Sequence, residues 1–187
     1  MIVGVSIVIF IVLLGAQIFL RSFVCRYRKE IVYITIAFYV FSLSIQTWIQ
    51  YSAWNQSELT QFLLPPHSSI EYFGTYVFFR IWAPYLISFL FALLLLMGMK
   101  WGNKKKEGKL FFDEELSVAF IAMLGVGYPT LIPFSLLFLF VYVGILLFQG
   151  KNKRFSSYFL WLPVALCAIL VSEYIFEGAN MWALLSI

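Results

Sequence analysis

The sequence predicts an all-α membrane protein: one domain over residues 1–187, built of six transmembrane helices with both termini outside. Three observations predict it. The chain is 63% hydrophobic and 20% aromatic with only 12% charged residues, and its mean hydropathy is +0.92, far from the roughly half-apolar, quarter-charged make-up of soluble domains. Its apolar residues fall in runs long enough to cross a bilayer. Its basic residues fall in alternate connections between those runs. The composition excludes a disordered chain, a nucleic-acid-binding domain and a soluble enzyme, because this much apolar surface exceeds what so short a chain hides in one core.

A hydrocarbon core of about 30 Å requires about 20 apolar residues in a helix. Met1 to Leu20 carries no charge; with no positive n-region and no A-x-A-like site, it is expected to be a retained helix rather than a signal peptide. Further spans are expected at Ile31 to Trp48, Tyr76 to Met99, Thr130 to Phe148 and Phe159 to Phe176. The fourth span is short. Run back to Phe111, it opens on Asp113, Glu114 and Glu115, which the helix macrodipole and the unpaired N–H groups favour in a first turn. Gly125, Gly127 and Pro129 close it and turn the chain into the fifth span.

Arg21, Arg26, Arg28 and Lys29 follow span one; Lys100, Lys104, Lys105, Lys106 and Lys109 follow span three; Lys151, Lys153 and Arg154 follow span five. The connection from Tyr51 to Phe73, the turn between spans four and five, and the C-terminal tail hold no Lys or Arg. By the positive-inside rule the basic segments face the cytoplasm, and the protein belongs in the plasma or inner membrane. Arg80 alone departs from the pattern and is expected to snorkel to the outer interface. Asn55-Gln56-Ser57 forms a glycosylation sequon on the outer side, and Pro65-Pro66-His67 reads as a rigid turn with a solvated histidine.

Little of this chain carries chemistry. Cys25 and Cys167 make neither a disulfide framework nor a metal site, and a lone cysteine in an apolar run is a small buried hydrophobe. One histidine, His67, anchors no metal, so neither a metal nor a cofactor is expected. Asp113 is the only aspartate. With Glu114 and Glu115 it opens span four at the cytoplasmic face, at the depth where Glu30 opens span two. Two carboxyls meeting there would share a proton and act as base and acid toward water; otherwise they are helix-terminal charges paired with Lys and Arg. Inside the spans polar groups such as Gln17, Gln46 and Ser88 are few, so no ion path is evident.

Lys109-Leu110-Phe111-Phe112-Asp113-Glu114-Glu115-Leu116, running on to Met123-Leu124-Gly125, resembles the second motif of the type 4 prepilin peptidase family, in which a GxGD aspartate opens a helix that closes on Leu-Gly. Cys25-Arg26-Tyr27-Arg28-Lys29-Glu30-Ile31-Val32 is similar to its first motif, an Asp-x-Arg-rich segment leading into Ile-Pro, and Arg154-Phe155-Ser156-Ser157-Tyr158-Phe159-Leu160 stands where the family approaches its last helix through Pro-Phe-Gly-Pro-Phe-Leu. Phe112 replaces the glycine before the motif aspartate, and Cys25 stands where the first catalytic aspartate would be. The resemblance implies a membrane aspartyl-type endopeptidase cleaving the leader of a pilin-like substrate. Asp113 would be its retained acid/base, with Glu30 or Cys25 beside it. It equally implies a relative that has lost the dyad. The other reading is a non-enzymatic accessory or scaffold subunit, or a small transporter component, whose aromatic-rich spans pack against other membrane-protein subunits in the lipid bilayer.

Overall fold

The computed structural model describes residues 2–67, 69–105, 111–149 and 156–178. Among these residues the protein is all helical: α1 (Ile2–Phe19), α2 (Arg21–Arg26), α3 (Arg28–Gln56), α4 (Ile70–Lys105), α5 (Asp113–Val126), α6 (Leu131–Gln149) and α7 (Trp161–Gly178), with no strand. By length and hydropathy two of them, α3 and α4, suffice to cross a membrane. Lys106, Lys109, Lys151, Lys153 and Arg154, on which the expected orientation partly rests, lie outside the described residues.

Each expected span contains a helix, but the boundaries shift. The basic connection after α1 is itself helical, forming α2, and only Tyr27 breaks from it into α3, with φ −104° and ψ 26°. The expected outer connection from Tyr51 to Phe73 is largely helical too, since α3 runs on to Gln56 and α4 begins at Ile70. Aromatic packing explains the extension: Trp54 sits 5.3 Å from the Phe73 ring and 4.9 Å from Tyr76, and Tyr51 lies edge-on to Phe73 at 5.4 Å. Such pairs contribute beyond their buried area, so both helices persist where hydropathy alone ends them. Within α4, Phe78–Trp82 forms a wider π turn that carries the exposed Arg80.

α5 is the hub. Its 14 residues contribute to both apolar clusters of the core. One cluster joins it to Phe10 of α1, Phe134 of α6 and Trp161 and Ala165 of α7. The other joins Phe120 and Leu124 to Tyr39 and Leu43 of α3 and to Ile81 and Ala92 of α4. Close approach has a residue-level cause at Gly125: a Cβ there would lie 2.5 Å from both Phe10 Cζ and the Tyr39 hydroxyl oxygen. Gly127, at φ +71°, ends α5 in a conformation that L side chains avoid. The Tyr128 N–H then donates to the Pro84 carbonyl at 3.3 Å, tying the turn to α4.

Polar side chains inside the bundle are mostly satisfied locally. Thr35, Ser42, Ser44 and Thr47 donate to carbonyls one turn back, at 2.7–2.9 Å. Others join helices: Tyr39 donates to Ser6 at 3.0 Å, the Trp82 indole donates to Thr47 at 3.1 Å, and Thr130 shares a hydrogen bond with Ser172 at 3.2 Å. Neither cysteine is the buried hydrophobe its sequence context suggests: Cys25 is half-buried and Cys167, in α7, is exposed.

Candidate functional site

The first turn of α5 carries three consecutive carboxylates, and successive helical residues point about 100° apart. They therefore meet three different surroundings. Asp113 faces outward, two-thirds exposed, and accepts from Arg28 at the start of α3 at 3.0 Å. Glu114 turns toward α2, where Arg21 lies 4.0 Å away and the Cys25 thiol abuts it. Glu115 points inward and is 2% exposed. It accepts from the Phe112 N–H at 3.1 Å, closing the helix N-terminus, and from the Ser156 hydroxyl at 2.7 Å. Asn103 of α4 holds the approach to this turn with two hydrogen bonds, donating to the Phe111 carbonyl at 2.8 Å and accepting from its N–H at 2.7 Å.

Of the residues singled out from sequence, Cys25 and the α5 carboxylates come together, through Glu114. Burial first, and then the Glu114 carboxylate as acceptor and as charge, push the Cys25 thiol above its ordinary pKa, with Arg21 opposing. Asp113 pairs with a guanidinium. Glu30 sits in the first turn of α3, exposed, and among the described residues it has no hydrogen-bond or ion-pair partner. Three further residues also build this corner. Ser156 anchors Glu115, Gln17 of α1 donates to the Tyr158 carbonyl at 3.3 Å, and Tyr158 is buried at the foot of α7. Burial pushes the Tyr158 hydroxyl up to about 12. Gln17 was visible as a rare polar residue inside an apolar run; Ser156 and Tyr158 were visible only as members of the Arg154–Leu160 segment, with nothing to mark either one individually.

Two hollows adjoin the corner. A small one, about 20 Å³, lies between Gln17, Arg28, Glu114, Ser117 and Tyr158. A larger one, about 710 Å³, is an apolar groove between α1 and α3, lined by Gly4, Val8, Val12, Ile34 and Phe38. Leu13 and Ile31 border both, so the groove leads to the charged corner. Among the described residues no three metal-ligating side chains gather. Chemically, the arrangement offers two arginine–carboxylate pairs, a thiol whose pKa its surroundings raise, and a long apolar face beside them. No family model, curated protein or solved structure matches the chain.

Proposed function

We propose that the chain is a multi-pass protein of the plasma or inner membrane, with six spans, both termini outside and the charged corner at the cytoplasmic face. In this reading it has the layout of a type 4 prepilin peptidase without that family's dyad, and it holds the membrane-anchored end of a pilin-like protein without cleaving it. The observation that carries the reading is the meeting of the resemblance's three segments at one corner: Arg28 with Asp113 at 3.0 Å, Cys25 with Glu114, and Ser156 with Glu115 at 2.7 Å. Nothing in chain order requires that meeting.

The same geometry argues against hydrolysis. An aspartyl mechanism needs two carboxyls sharing one proton, and the chain's one aspartate is paired with an arginine. The residue in the position of the other aspartate is a thiol rather than a carboxyl, and its surroundings raise its pKa instead of lowering it toward the thiolate a nucleophile needs. The apolar groove between α1 and α3 suits a single helix lying along the bundle, with its polar end at the corner. The short α5, about 21 Å long at 1.5 Å per residue, falls below the ~30 Å hydrocarbon thickness. Its carboxylates at one end and Gly127 at the other allow it to cross with both ends drawn inward.

The test is to co-express the chain with a type 4 prepilin carrying a photo-cross-linker near the cytoplasmic end of its helix. Cross-linked product with the leader intact is the expected result. A leader-free pilin whose formation stops on Asp113→Asn would overturn the non-catalytic reading. Absence of cross-links to α1 or α3 would overturn the binding reading and favour a scaffold subunit.

A further inference from the structure

α3 and α4, the two helices long and apolar enough to cross a membrane, are joined near their outer ends by the packing of Trp54 and by the Trp82 indole, which donates to Thr47 at 3.1 Å. Below that seam, toward the middle of both helices, a cleft of about 200 Å³ opens between them. Ile36 and Leu43 wall it on one side, Trp82 and Phe89 on the other, and Leu124 of α5 forms its floor. The polar atoms around it are already engaged: Tyr39 donates to Ser6 at 3.0 Å, Tyr85 reaches the same hydroxyl, and the indole N–H is taken by Thr47. A water needs about two to four polar partners, whereas an apolar cavity of about 150 Å³ stays dry and takes an apolar molecule. Val40 and Leu86 at the mouth are exposed. The apolar surface runs on from them to Phe41 and Leu90, and no charged residue falls between Ile31 and Gln56 or between Ile81 and Met99.

The dimensions choose the occupant. Ile36 to Leu43 and Trp82 to Phe89 each cover about 10 Å of helix at 1.5 Å per residue, so the volume averages to a section of roughly 20 Å², or about 4–5 Å across. A helix with its side chains is about 10–12 Å wide and does not enter; an unbranched hydrocarbon chain does. We propose that the cleft is a binding site for one acyl chain of a bilayer phospholipid, which passes between Val40 and Leu86 and ends against Leu124. Lipid tails are as apolar as leucine, so a chain in the cleft extends the cluster that Leu43, Phe120 and Leu124 begin and holds α3 at its distance from α4. The inference rests on α3 and α4 lying in the bilayer; it does not depend on what the groove between α1 and α3 binds.

The test places the full chain in nanodiscs of a phospholipid that carries a diazirine midway along one acyl chain, and maps the labelled residues by mass spectrometry after irradiation. Leu124 decides, because it is 4% exposed and a chain lying on the outer surface does not reach it. The expected result is label on Leu124 as well as on Leu90, which is 58% exposed and lies outside the cleft. Val40→Trp sets a ring across the mouth: the Leu124 label should fall severalfold while Leu90 keeps its own, with an unchanged melting temperature as the check on folding. Leu86→Trp closes the mouth from the opposite wall and should act alike if the first variant does not fold. Label on Leu90 without Leu124 would overturn the acyl-chain site and leave the membrane placement standing, whereas label on neither would overturn both. Leu124 label that persists in a folded blocking variant would also refute the proposal. So would label on Leu124 in discs holding a single chain that vanishes in discs holding two, since a second copy would then fill the cleft.

Discussion

Alanine at position 125 tests the packing at the hub directly. The added methyl carbon would lie 2.5 Å from Phe10 Cζ, 2.6 Å from Phe10 Cε1 and 2.5 Å from the Tyr39 hydroxyl oxygen. Phe10 is wholly buried and Tyr39 nearly so, so neither ring can withdraw without disturbing the core. Overpacking of this kind costs about 1–3 kcal/mol. Displacing Tyr39 also forfeits its bond to Ser6, about 1 kcal/mol. The gain in helix propensity from Gly to Ala returns about 1 kcal/mol, so the net loss is roughly 1–3 kcal/mol. For a chain of this size that lowers the unfolding midpoint by roughly 2–12 °C. The assay is thermal unfolding in detergent followed by tryptophan fluorescence. Gly98→Ala and Gly144→Ala are the controls, because a Cβ at either position meets nothing within 4 Å; these should be neutral or stabilised by about 0.5–1 kcal/mol. Shortening the obstacle with Phe10→Leu should restore part of the loss in the Gly125→Ala background. If Gly125→Ala melts with the controls, the three-helix crossing is looser than the structure describes and the reasoning fails.

Glu115→Ala should cost roughly 1–3 kcal/mol, since it removes the acceptor of the Phe112 N–H and of the Ser156 hydroxyl; denaturation that leaves the variant equal to wild type would refute this. Asp113→Asn, by contrast, breaks only an exposed ion pair and should shift stability by less than about 1 kcal/mol in the same experiment. Maleimide labelling of Cys25 should have its midpoint above the ordinary thiol range. Glu114→Gln should speed labelling at neutral pH and Arg21→Met slow it, because the carboxylate holds the proton on and the guanidinium favours the thiolate; the opposite order would overturn the assignment. Asn103→Ala should lose about 1–2 kcal/mol through its two bonds to Phe111, which a melting curve would show.

Much of the helical layout was legible in the sequence, because uninterrupted apolar runs and the acidic opening and glycine closing of α5 are local signals. The extensions of α3 and α4 were not, since they depend on Trp54 meeting Phe73 and Tyr76 from another helix. The corner was legible in part. Its carboxylates stood out as a run, but which of them enters the core is decided by helix rotation against α7, and adjacent residues look alike until the facing helix is known. Asp113 drew notice as the lone aspartate, whereas the buried member is Glu115. Its partner Ser156 is 41 positions away, a separation over which no local pattern acts.

The burial of α5 on all sides has a consequence for how its sequence can drift. A helix with one solvent or lipid face accepts change every three or four residues, so its history of substitutions beats at the helical period. In α5, Leu116, Val118, Ala119, Phe120, Ile121 and Ala122 are buried in near-unbroken succession. Replacing each in turn should reveal no such rhythm. Intolerance should run evenly from Glu115 to Val126, graded by the room each neighbour leaves rather than by direction around the axis. Such a helix evolves only in step with those around it.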